Sequence, residues 1–177
     1  MPPESGPEIR IRREDINSET CITFMNEIIK EIQPLNHTLV APVPDEFRPR
    51  QSPEGSVFLV AEVQGNRTAA PELAGSVALI PLAQGSANAG DSPGNAMVGE
   101  IKRMIVRPPF RRAGVAVKLL DAIVYIAWTE MSLHLLVLET WHMLSGAQRL
   151  YESSGWSRRE VYGWYDARDS QCYEKWI

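Results

Sequence analysis

Val106-Arg-Pro-Pro-Phe-Arg111-Arg112-Ala113-Gly114-Val115-Ala116 joins two apolar stretches of this chain. The stretch before it, Val98–Val106, reads as a strand, and the one after it, Gly114 to Trp128, reads as a helix. A short turn of small residues between arginines leaves backbone N–H groups unpaired at a helix N-terminus, where the dipole is positive. Such a turn can hold a phosphate or pyrophosphate on its amides alone. Gly114 and Ala116 keep side chains away from that approach. An ordinary strand-to-helix turn is the alternative reading of the same residues. A Walker A loop is excluded, because no Gly-Lys-Ser/Thr follows. The dinucleotide fingerprint is excluded too, because its three glycines are reduced to one.

The 177 residues are enough for one domain with a substantial core, read as 8–177 after a loose tail over 1–7. A net charge of −4 gives no nucleic-acid footprint. Cys21 and Cys172 read as two reduced thiols rather than a disulfide. The N-terminal residues lack the apolar core of a signal peptide, and no apolar run reaches membrane-spanning length, so a cytoplasmic protein without membrane contact is expected.

Outward from the central turn, the element order reads β-α-β-β-β-α-β-α-β-β, a mixed sheet with helices on both faces. Glu8–Arg13 alternates as a strand. Ile22, Met25, Ile28, Ile29 and Ile32 recur at helical spacing after a cap at Asn17 or Ser18, and Pro34 ends that helix. Pro42, Pro44, Pro49 and Pro53 mark an irregular connection, either an acceptor-site loop or a plain connector. Ser56–Val63 and Gly75–Pro81 read as strands joined through Gly65-Asn66, and the turn-rich residues of loop 83–97 as a mobile hairpin loop. In the long helix only Lys118, Asp121 and Tyr125 read as a solvent stripe. Leu133–Leu138 reads as a central strand covered on both faces. Ser145 and Gln148 form a capping-box pattern opening a short helix that ends at Gly155, followed by strands near Ser157–Tyr162 and Gln171–Trp176.

Three motifs in register resemble the GNAT superfamily of acetyl-CoA-dependent N-acetyltransferases. Arg111-Arg-Ala-Gly114-Val-Ala116 is similar to its Gln/Arg-x-x-Gly-x-Gly/Ala pyrophosphate loop. Gly99-Glu-Ile-Lys-Arg-Met-Ile-Val106 with Pro108 is similar to the strand before that loop. Ala147-Gln-Arg-Leu-Tyr151-Glu-Ser-Ser-Gly155-Trp156 is similar to its Ala-x-x-Leu-Tyr-x-x-x-Gly-Phe helix. Lys102-Arg-Met, Leu138-Glu-Thr140 and the segment Tyr162 to Lys175 resemble a subgroup of small microbial members. The chain departs from that subgroup at Trp141-His-Met-Leu144, where Leu144 stands in place of the Asn of many members. That position bears on a polar contact to the pantetheine arm, and Trp141 points to a remodelled acceptor pocket.

The resemblance implies a GNAT fold, acetyl-CoA as co-substrate, and direct transfer to an amine in a ternary complex without an acyl-enzyme. The amine must be neutral to attack, and the leaving thiolate benefits from a proton. Tyr151 is the expected proton donor, with a core tyrosine as the alternative. Glu100, eleven residues before Arg111, is the expected base, acting through water, with a Glu100–Lys102 surface pair as the alternative. Strand alternation places Glu100, Lys102 and Met104 on one face and Arg103 and Ile105 on the other. Backbone of Met104, Ile105 and Val106 is implied to pair with the pantetheine amides. The amides of Arg111, Arg112, Ala113, Gly114, Val115 and Ala116 are implied to hold the pyrophosphate. Glu139, Trp141, His142, Tyr162, Trp164 and Tyr165 are candidates to line the acceptor pocket, since aromatics near a carboxylate suit a cationic amine. His142 is an alternative base. The three histidines show no metal-ligand spacing, so no metal is expected. The expected acceptor is a small-molecule amine, with a protein amine or a non-catalytic acyl-CoA-binding domain as rivals. A homodimer is common in the family, but no residue here reports one.

Overall fold

A computed structural model describes residues 8–32, 53–64, 70–83 and 96–177. The expected tail over 1–7, the proline-rich connection through Pro42, Pro44 and Pro49, the Gly65-Asn66 turn and most of loop 83–97 lie outside these residues, as does the Cys21 side chain.

The strands are β1 (Glu8–Arg13), β2 (Val57–Gln64), β3 (Glu72–Pro81), β4 (Val98–Val106), β5 (Leu135–Trp141), β6 (Ser157–Arg159) and β7 (Ser170–Trp176). The helices are α1 (Glu19–Ile32), α2 (Val115–Thr129) and α3 (Ser145–Ser153), with a single 3-10 turn at Pro108–Phe110. One sheet of order β1-β2-β3-β4-β5-β7-β6 results, the mixed α/β architecture expected from the element order. Every neighbouring pair is antiparallel except β4–β5. Parallel neighbours need a crossover, and α2 supplies it.

α2 can cross because Val115, Leu119, Ile123, Ile126 and Ala127 recur on one side and are buried. They pack with Leu59, Ala61, Val77, Leu79, Ile101, Leu136 and Leu138 of the sheet, and Tyr151, Trp156 and Tyr173 extend the same core. Fully burying an aliphatic side chain of this size contributes about 1.5–3 kcal/mol. On the opposite face Met25 of α1 covers Phe58, Val60 and Ala78. The solvent stripe of α2 is wider than the sequence reading, because Val117 and Trp128 are exposed beside Tyr125.

Three local expectations are corrected. The capping box at α3 is not made: Leu144 is the cap residue, without a side-chain bond, and Ser145 is already helical. Gln148 Nε2 instead donates to the His142 carbonyl at 2.8 Å, tying the helix to the end of β5. β6 stops at Arg159, so Tyr162 lies in a loop rather than a strand. The alternation along β4 is broken. Ser76 pairs with Ile105 but Ala78 pairs with Lys102, so β4 carries one residue more than β3 there. Arg103 takes up the extra residue at φ 53, and its carbonyl accepts the buried Ser76 hydroxyl at 3.1 Å. This is a β-bulge, and it reverses the facing of the strand residues beyond it. Glu100 and Lys102 share a face, while Met104 and Val106 pack with Ile101 into the α2 core.

Candidate functional site

β4 and β5 are paired only from Val98↔Leu135 to Ile101↔Leu138. Beyond that point β4 remains bonded to β3 as far as Val106, and β5 remains bonded to β7 as far as Trp141. The two strands therefore part at the centre of the sheet, and Met104 to Val106 present a backbone edge on the β5 side that no strand pairs with among the described residues. An unpaired edge of this kind accepts an extended amide-bearing chain as an added strand.

The edge leads into the phosphate-type turn. Arg111 Nε donates to the Val106 carbonyl at 2.8 Å, folding the turn back on the strand end. Arg112 at φ 61 and Gly114 at φ 83 both adopt the left-handed conformation, on either side of Ala113. The first backbone bond of α2 runs from the Lys118 N–H to the Gly114 carbonyl. The amides of residues 112–117, with Val115 and Ala116 opening the helix, have no backbone acceptor among the described residues. A Cβ at Gly114 would meet nothing within 4 Å, so glycine is required there for its φ and not for space. Left-handed residues beside a helix N-terminus aim successive amides at one point, which is how a backbone binds an anion. Arg112 is exposed beside them.

On one face at the parting of the strands, Glu100 and Glu139 lie together. Glu100 pairs in register with Val137, so Glu139 follows two residues along β5 on the same face. Glu100 is only 1% exposed, so the surface-pair alternative does not hold. Its Oε1 accepts the Tyr162 hydroxyl at 3.0 Å and the Tyr165 hydroxyl at 2.7 Å, and lies 3.4 Å from Lys102 Nζ. Burial beside the Glu100 carboxylate raises the pKa of both tyrosines, so they remain donors. Lys102 also bonds the Tyr165 hydroxyl, with its ammonium 5.1 Å from the Tyr165 ring and 5.6 Å from that of Trp164. Glu139 is half-buried, and its Oε1 accepts the Ser170 hydroxyl. Desolvation raises the Glu139 pKa and Glu100 adds to that, against the opposing effects of Ser170 and Lys102.

Tyr162, Trp164 and Tyr165 arrive on the loop between β6 and β7 and pack on one another, with ring centroids 5.2 and 4.6 Å apart. Gly163 at φ 61 allows the turn, closed by the Tyr165 N–H on the Tyr162 carbonyl at 3.2 Å. The Arg159 guanidinium stacks 5.0 Å over the Tyr162 ring, and its Nη1 lies 3.3 Å from Glu174 Oε2, off the line of a hydrogen bond. His142 holds the far end of this loop. Its N–H donates to the Asp169 carbonyl at 2.9 Å, and its Nε2 lies 3.0 Å from the Ala167 carbonyl. It is exposed, and its bonds among the described residues go to backbone carbonyls rather than to Glu100 or Glu139. Trp141 continues the Glu139 face at the strand end, half-buried.

Tyr151 is 5% exposed and sits between Trp156 and Tyr173, with ring centroids at 6.0 and 5.7 Å. It is part of the core, and its hydroxyl makes no hydrogen bond among the described residues. Burial raises its pKa, and Glu139 contributes in the same direction. Ser170, Ser76 and Arg159 escaped the sequence reading. Their partners Glu139, Arg103 and Glu174 lie on other strands, and no local pattern marks such pairings.

The sequence matches the acetyltransferase (GNAT) domain family over residues 54–158, more than half of the chain. Among curated proteins no sequence matches. Solved structures similar to this fold include a GNAT-family acetyltransferase of Staphylococcus aureus, with a TM-score of 0.72 at 18% identity over 96% of this chain and 99% of that one. Arabidopsis thaliana NAA60 in complex with acetyl-CoA has a TM-score of 0.72 at 18% identity, again over 96% and 99%. An acetyltransferase of Streptococcus agalactiae has a TM-score of 0.66 at 18% identity over 96% and 98%. Among the described residues no helix is long and apolar enough to cross a membrane. With the parted strands, the amide-bearing turn and the domain match in agreement, the chain belongs to the GNAT family of acetyltransferases.

Proposed function

We propose that the protein transfers the acetyl group of acetyl-CoA directly to the primary amine of a small molecule. One observation supports the reading: the β4 edge at Met104 to Val106, with which no strand pairs on the β5 side among the described residues, runs straight into a turn whose amides at 112–117 find no backbone acceptor among the described residues. An extended pantetheine arm fits the edge, and a pyrophosphate fits the turn. When bound, acetyl-CoA supplies an activated acyl carbon. The chain's residues do the rest. Met104 to Val106 hold the arm by backbone bonds, and Arg112 adds positive charge at the turn. Tyr151, protonated through the ordinary pH range, gives its proton to the departing sulfur.

The face formed by Glu100, Glu139 and the three aromatic rings receives the amine. Two carboxylates against one ammonium leave a net negative charge when both are ionised, and the rings favour a cation. The aromatic loop is folded onto Glu100 and Lys102, and a wall of rings on that side of the acceptor region supports a small acceptor. The test measures CoA release and N-acetylated product with two panels. One holds spermidine, tyramine and free amino acids; the other holds peptides with lysine side chains or free N-termini. The proposal requires the best small amine to exceed every peptide in kcat/KM by roughly tenfold, equivalent to about 1.4 kcal/mol of transition-state binding. Turnover confined to peptides overturns it.

A further inference from the structure

We infer that Glu139, not Glu100, takes the proton from the attacking amine, and that Glu100 serves as the buried anchor of the aromatic wall. The inference rests on the acetyl-transfer reading above and names the proton acceptor of that same site. Three observations separate the two carboxylates. The first is access: Glu100 is 1% exposed beneath Tyr162, Tyr165 and Lys102, whereas Glu139 is only half-buried. A base must reach the proton it removes, directly or through one water. The second is occupancy by donors. Two hydroxyls and an ammonium converge on Glu100 Oε1 and tie that carboxylate to the aromatic loop. Glu139 receives one hydroxyl, from Ser170, among the described residues. The third is position. Glu100 lies inside the closed β4–β5 ladder, opposite Val137. Glu139 follows Leu138, the last β5 residue paired to β4, and so stands where the strands part.

Glu139 accepts the Ser170 hydroxyl of β7, and the titratable groups whose charge bears on it are Glu100 and Lys102 from β4, Cys172 from β7, Tyr165 from the aromatic loop and Tyr151 from α3. Its neighbour Tyr151 is the proton donor proposed for the sulfur. The protons balance across this pair. The ammonium gives one proton to Glu139 and gains a lone pair; the C–N bond then forms as the C–S bond breaks. Tyr151 protonates the thiolate, the second nitrogen proton replaces the one lost by Tyr151 through solvent, and the Glu139 proton leaves to bulk water. One proton is released for each acetyl group transferred.

The test compares wild type with Glu139→Gln, Glu139→Asp and Glu100→Gln, using acetyl-CoA and the fastest amine of the small-molecule panel. Glu139→Gln is expected to lower kcat by about 10²-fold or more. It should also abolish the acidic limb of the kcat/KM–pH profile while leaving acetyl-CoA affinity unchanged by calorimetry. Glu139→Asp should restore the limb and part of the rate. Glu100→Gln should keep the limb while raising the amine KM. A limb that survives Glu139→Gln and vanishes in Glu100→Gln overturns the inference. If wild type turns over no small amine, the proposed acceptor class fails, and the same variants and pH profiles taken with the fastest peptide still decide the inference.

Discussion

Gly114→Ala isolates the conformational requirement of the turn from everything around it. Gly114 sits at φ 83, and an added Cβ would contact nothing within 4 Å, so the substitution introduces no clash. Its whole cost is that of holding an L-residue in the left-handed region, about 1–2 kcal/mol. If the turn keeps its shape, that cost appears as lost stability, roughly 2–4 °C in Tm for each kcal/mol in a chain of this size. If the turn relaxes, the left-handed residue at 114 is lost, the amides of 112–117 no longer converge, and acetyl-CoA affinity falls instead. The same 1–2 kcal/mol then corresponds to about 5- to 30-fold in Kd. The assay is calorimetric titration with acetyl-CoA and with acetyl-pantetheine, which lacks the pyrophosphate, alongside thermal unfolding. Gly114→Asn is the control, since asparagine tolerates this region better than alanine. The expected pattern is weakened acetyl-CoA binding in the alanine variant, a smaller loss in the asparagine variant, and acetyl-pantetheine affinity unchanged in both. An alanine variant that is neither less stable nor weaker for acetyl-CoA would refute the reasoning, as would equal losses for both ligands.

Tyr151→Phe should lower kcat by about 10²-fold or more, with acetyl-CoA affinity and Tm unchanged, because the hydroxyl has no partner to lose among the described residues. Undiminished kcat would remove Tyr151 from the mechanism. Glu139→Gln should also raise Tm near neutral pH. Burial raises the folded-state pKa, so folding favours the protonated carboxyl; that contribution is full at low pH and is lost as pH rises through the folded value. Glutamine mimics the protonated form, so its gain should vanish below pH 4.5 in melts taken across pH. Gly75→Ala places a Cβ 2.6 Å from the Ile105 carbonyl oxygen and 3.2 Å from Leu119 Cδ1. Backbone cannot yield as a side chain does, so the variant should lose about 1–3 kcal/mol in denaturant unfolding and weaken acetyl-CoA binding by disturbing β4.

The strands and helices were legible wherever one periodicity ran unbroken. α2 announces itself through Leu119, Ile123 and Ala127, and β5 through its run of aliphatic residues. The turn at 111–116 was legible because it lies within a few residues of sequence. The bulge in β4 was not. Arg103 occupies its left-handed position with no glycine to signal it, and the compensating bond comes from Ser76 on another strand. Met104 therefore lies on the face opposite to the one simple alternation gives it, while Glu100 and Lys102, which precede the bulge, follow the alternation. Tyr162 and Tyr165 were legible as aromatics near a carboxylate, but which carboxylate they engage was not, because the register of β4 against β5 and the path of the aromatic loop decide it. His142 illustrates the converse: its residue type suggests chemistry, and its position at the loop base gives it backbone carbonyls to hold instead.

A crystal structure of the protein with acetyl-CoA bound is the most direct test of the account. The pyrophosphate oxygens should lie within hydrogen-bonding distance of the amides of residues 112–117. The pantetheine arm should run along the Met104 to Val106 edge of β4, and the thioester should sit between Tyr151 and Glu139. A pyrophosphate bound away from that turn, or a thioester placed on the far side of the sheet from Glu139, would contradict it.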